Sequence, residues 1–120
     1  MSKNIFTHAA QQQALFNEQV SGNGYKPFTT FYSDLTIADV FGMKAVKDTY
    51  KRVCKSWLDN YKYFAEFIMA LNIKCWYWYQ NGNQDLSLLY HDLYYDAKNK
   101  YFDTHTENKE AISYYYDNVD

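Results

Sequence analysis

Cysteine is scarce in this chain. Cys54 and Cys75 are the only two, 21 residues apart and outside any CxxC pair. That count excludes the multi-bridge framework of small secreted scaffolds, and the spacing matches no zinc site. Both thiols are expected to be reduced and buried. HExxH and helical ExxH pairs are absent too, so neither common helical metal signature is present. No metal and no cofactor is therefore expected. No apolar run is long enough for a membrane: the most apolar window, Tyr63 to Tyr79, is interrupted by Glu66, Asn72 and Lys74. A spanning helix needs about 20 apolar residues. Met1 to Ile5 carries no apolar targeting core. These absences together imply a cytoplasmic protein without a membrane partner.

Aromatic residues, by contrast, are abundant. Of 120 residues, 14 are Tyr, 8 Phe and 3 Trp. Each Tyr adds a large apolar body and a hydroxyl that seeks water or a partner. The chain fits one domain, and at its length folding should bury about two-thirds of the unfolded surface. A core without staples is therefore within reach.

Apolar spacing sets the fold class as all-α. Val46, Tyr50, Val53, Trp57, Tyr61, Phe64, Ile68, Cys75 and Tyr79 recur at helical intervals, with Asn72 the one polar member of the stripe. A single helix from Lys44 to Gln80 would be about 55 Å long, whereas a compact globule of this size is roughly 35 Å across. Either the helix breaks near Asp59-Asn60, or the molecule is elongated and pairs with another copy. Gln84 to Phe102 forms a further helix capped by Asn83, and Thr104-His105-Thr106-Glu107 matches a capping box for a last short one. The expected architecture is a small bundle or helical hairpin, residues 27–120, preceded by an irregular arm, residues 1–26. In the arm, His8 to Val20 has helical spacing and Ser21-Gly22-Asn23-Gly24 reads as a linker. Phe28 to Tyr32 reads as an extended lead-in, and Thr36 as the cap that begins helical structure. Gly42 should end that first helix.

Three constellations bear on function. Ala38 and Gly42 sit as in the first half of a helix-turn-helix, but Asp48 occupies the position expected to be buried and aliphatic. Independently of that motif, Lys44, Lys47, Lys51, Arg52 and Lys55 form a candidate anion or nucleic-acid face, with Lys62 continuing the stripe. The segment 44–62 carries a net charge of +4 and the segment 85–120 a net charge of −5. The two could attract each other within one chain or between chains. His91-Asp92 with Asp96 resembles the doublet of HD-type phosphohydrolases, yet the other ligands of that pattern have no places here, and Asp103, His105 and Glu107 make a weak loop cluster. A hydrolase is accordingly not expected.

The run Trp76-Tyr77-Trp78-Tyr79 covers every side of a helix, and Tyr94-Tyr95 and Tyr114-Tyr115-Tyr116 pose the same problem. One core cannot hide all these rings. Trp76, Tyr77, Trp78, Tyr94, Tyr95 and Tyr115 are therefore the candidate protein interface. The sequence points to a non-enzymatic helical interaction protein. Its partner would be a second copy, most simply in a two-fold dimer, or another protein. Nucleic-acid binding through the basic helix is the alternative.

Residues 30–42, together with Lys47-Asp48-Thr49-Tyr50-Lys51-Arg52 and Asp59-Asn60-Tyr61-Lys62-Tyr63, resemble a group of small proteins carried by mobile genetic elements and phages of anaerobic gut bacteria. The resemblance covers about residues 28–120. It implies a cytosolic accessory protein and transfers no activity and no site residue.

Overall fold

The computed structural model describes residues 27–119. Five helices and no strand occur among them: α1 (Pro27–Phe41), α2 (Met43–Trp57), α3 (Tyr61–Gln80), α4 (Gln84–His105) and α5 (Lys109–Asn118). The expected helix from His8 to Val20 and its linker lie outside the described residues. The radius of gyration is 13.9 Å and the longest extent 39 Å. The conflict between helix length and globule size is settled by a break, since α2 ends at Trp57 and α3 begins at Tyr61. Asn60 caps the new helix, its side chain accepting from the Tyr63 amide at 3.2 Å.

The start of α1 overturns the expected extended lead-in. Phe28, Phe31, Leu35 and Ala38 are buried at intervals of three and four, a helical stripe. Pro27 opens the helix, where its fixed φ is suited and its missing N–H would have no partner anyway. Thr36 is therefore an interior residue and not a cap. Its hydroxyl donates to the Tyr32 carbonyl at 2.9 Å, a back-bond one turn up the helix. Gly42 does end α1. Its φ of 110° and ψ of −177° suit glycine, and its carbonyl already accepts from Val46 of α2. The capping box at Thr104 is also overturned. Helix α4 runs on through His105, whose ring makes a 2.9 Å hydrogen bond with the Leu58 carbonyl at the α2–α3 corner. Asn108 caps α5 instead, accepting from the Ala111 amide at 3.1 Å.

Helix α3 is the axis of the molecule and touches all four other helices. It is apolar around almost its whole circumference, with Phe64, Ala65, Phe67, Ile68, Ala70 and Leu71 inaccessible to solvent. A helix that is apolar all round belongs in the centre. Phe67 meets Phe31 of α1 edge-on at 5.3 Å and Tyr50 of α2 at 5.9 Å, which ties three helices at one point. At the far end Tyr101 donates to the Ala111 carbonyl at 2.6 Å and locks α5 onto α4.

Candidate functional site

Helix α3 carries two buried charges, Glu66 and Lys74, the same residues that interrupt its apolar window in sequence. Lys74 is the better partnered. Its ammonium donates to Asp39 of α1 at 2.8 Å, with the two side chains only 3% and 5% exposed. The indole N–H of Trp78 donates to the same carboxylate oxygen at 3.1 Å, and the Tyr90 hydroxyl donates to the other at 2.5 Å. The Lys74 ammonium also lies 4.6 Å from the Tyr32 ring centroid and 5.5 Å from that of Tyr77. Burial pulls the Lys74 amine below its usual value, opposed by the Asp39 carboxylate. Burial, with Tyr77 and Asp39 adding to it, pushes the Tyr32 hydroxyl up to about 12. Every group in the cluster is engaged and its net charge is zero, so Lys74 serves as a structural cation here and not as a free amine.

This neutral cluster floors an open hollow of about 200 Å³ between α1 and α3, with Tyr77, Trp78 and Val40 around it. Beside the hollow the dressing is apolar. Val40 is 82% exposed, Phe41 78%, Ile37 60% and Met43 40%. Ile37, Val40 and Phe41 stand at i, i+3 and i+4, and therefore share one helix face.

The candidate interface residues divide. Tyr77 and Trp78 border the hollow and are half-buried, and Trp76 is exposed, its ring edge-on to that of Tyr79 at 5.8 Å. Tyr95 is exposed on α4, and Tyr94 is half-buried and packs against the core. Tyr115 is a correction: it is inaccessible to solvent, with its ring packed 5.2 Å from Tyr101 and 4.8 Å from Phe102. Helix α5 turns it inward because its i−4 neighbour Ala111 faces the same core.

The candidate basic face divides as well. Lys44 is tied to Asp48 at 2.9 Å and Arg52 to Asp34 of α1 at 3.3 Å, both on the surface. Lys47, Lys51 and Lys55 are exposed and make no ion pair within 4 Å among the described residues. Lys62 does not continue the stripe, because the break places it on α3. Asp48 is exposed, as the failed helix-turn-helix match requires. The attraction foreseen between the basic segment and the acidic C-terminal third takes no form of direct ion pairing among the described residues. Instead Tyr50 of α2 donates to Asp96 of α4 at 2.5 Å, and Asp96 pairs with Lys100 on its own helix.

Three sites went unforeseen: the Asp39–Lys74 cluster, the exposed apolar end of α1, and Glu66. Glu66 is 6% exposed, with one oxygen 3.4 Å from the Tyr114 hydroxyl and the other without a hydrogen-bond partner. Burial pushes its carboxyl up to about 7, with the Tyr114 hydroxyl opposing. The acidic clusters around His91 and His105 do not assemble, and no group of three or more His, Cys, Asp or Glu among the described residues could hold a metal ion. No helix there is long and apolar enough to cross a membrane. No protein-family model, curated protein or solved structure matches the chain.

Proposed function

We propose that the protein is a helical interaction protein that self-associates through the apolar end of α1 and the adjoining Tyr77–Trp78 hollow. The observation that carries this reading is the exposure of Ile37, Val40, Phe41 and Met43 side by side while the charges next to them, Asp39 and Lys74, are turned inward. Contiguous exposed apolar residues rimmed by polar ones mark association surfaces. An apolar surface is also compatible with a copy of itself, whereas a strongly charged one repels its own kind.

The magnitudes suit a modest dimer. Covering these side chains on two chains contributes on the order of 10 kcal/mol, against roughly 4–15 kcal/mol for lost freedom of motion. The surplus of at most about 6 kcal/mol puts self-association at tens of micromolar or weaker. The supporting cluster beneath adds rigidity, which lowers the ordering cost at the interface.

Light scattering after size exclusion, run over a range of concentrations, tests the reading. The native chain should rise towards the dimer mass, and Phe41→Asp should stay monomeric with an unchanged helical circular dichroism spectrum. A native chain that stays monomeric up to hundreds of micromolar would reject it.

A further inference from the structure

A second surface lies between α2 and α4, and it is dressed differently from the first. Lys47 and Lys51 of α2 and Lys100 of α4 surround an open groove of about 410 Å³ whose floor includes Leu89 and Leu93. Lys47 and Lys51 stand one helical turn apart, and so do Leu89 and Leu93, giving a cationic row beside an apolar row. From Leu89 to Lys100 the groove runs about 16 Å along α4, the length of three helical turns. The one acid among its described lining residues, Asp96, is engaged by the Tyr50 hydroxyl at 2.5 Å and by Lys100 at 3.5 Å. Lys47 and Lys51 form no ion pair among the described residues, so their charge is available to an incoming ligand.

We infer that this groove docks an acidic amphipathic helix of a partner protein, with a leucine-like residue on the half-buried Leu93 and carboxylates on Lys47 and Lys51. Charge complementarity fixes the sign of the partner, and Leu93 at the edge of the groove requires an apolar residue next to its acids. This is helix-in-groove recognition, read through anchors at i, i+4 and i+7. Nucleic acid fits less well. A bound strand gains most from rings on which bases stack, and among the described residues lining this groove the one ring, Tyr50, is 5% exposed and points its hydroxyl at Asp96. The inference is independent of self-association, which uses the α1–α3 face.

The test uses the full chain and fluorescein-labelled synthetic peptides followed by anisotropy at low salt. The first peptide is helical, with leucines along one face and glutamates on the adjoining flank. The second is its scramble, and the third replaces the glutamates with lysines. The first should bind and the other two should not. Lys47→Glu with Lys51→Glu should weaken binding at least about tenfold while leaving the circular dichroism spectrum unchanged, since both side chains are exposed. Any of three results would overturn the inference: no binding of the first peptide, equal binding of the scramble, or equal binding by the charge-reversed variant. Labelled single-stranded RNA held more tightly than the first peptide through the same two lysines would likewise overturn it, in favour of a nucleic-acid face.

Discussion

The two ends of α3 solve the same problem in opposite ways. Each buries an ionisable side chain, Glu66 near the start and Lys74 near the end, about 12 Å apart along the axis. At the Lys74 end the charge meets a full set of partners from three helices, and the surface above it is apolar. At the Glu66 end the surface is covered by α5, which brings Tyr114 and Tyr115 inward, and one carboxyl oxygen is left without a partner. The chain is finished at one end of α3 and unfinished at the other. The covered end hides Tyr115 and leaves a buried acid with one unpartnered oxygen. The uncovered end has perfected its polar interior and leaves Val40 and Phe41 in water.

Removing Asp39 should give the largest effect, because it makes the satisfied end resemble the other one. Asp39→Ala strands a buried ammonium and should cost about 3–5 kcal/mol, seen as an earlier urea midpoint. The double change Asp39→Leu with Lys74→Met should recover most of that loss, since well-packed apolar residues often replace a buried pair without penalty. Recovery would show that the pair fills space and aligns α1 on α3, and does not itself supply net stability.

Glu66 tests the opposite conversion. Its carboxyl holds the proton up to about 7 in the fold, against 4.5 ordinarily. The folded state therefore binds more protons than the unfolded state between those values. Stability is full below about pH 4.5 and falls as pH rises through about 7, by on the order of 2–3 kcal/mol. Glu66→Gln should flatten that slope in urea titrations at successive pH values. A native chain with no such slope would place Glu66 in contact with water.

The smallest effect belongs to the surface. Lys44→Ala removes an exposed i, i+4 pair with Asp48, and exposed pairs contribute little. Its thermal midpoint should match that of the native chain. A clear drop would mean that the corner beside Gly42 matters to more than α2.

Much of this was legible in sequence. The all-α class, the Gly42 turn and the Asn83 cap follow from apolar spacing and cap chemistry, whereas the break near Asp59-Asn60 was one of two readings that the helix length left open. The start of α1 did not, because Phe28-Thr29-Thr30-Phe31-Tyr32 has the composition of a strand while its buried spacing is helical, and only Leu35 and Ala38 settle the period. Tyr115 was misplaced because adjacent tyrosines are identical in type and the register of α5 alone decides which one turns in. The Asp39–Lys74 pair spans 35 residues, so no local pattern joins them. The interruption of the apolar window by Glu66 and Lys74 was nonetheless a usable sign: a charge inside such a window must find a partner or keep its proton. The exposed end of α1 was illegible for a related reason. Only the packing of α1 shows that the stripe through Phe31, Leu35 and Ala38 is the buried one, leaving Ile37, Val40 and Phe41 outside.

On the proposed reading, a second copy covers the exposed end of α1. Intermolecular nuclear Overhauser effects in a mixture of isotope-labelled and unlabelled native chains test it most directly. Cross-peaks are expected between the Val40 methyls of one chain and the Phe41 or Trp78 ring of the other. A dimer whose intermolecular cross-peaks map elsewhere, or no intermolecular cross-peak at millimolar concentration, would contradict it.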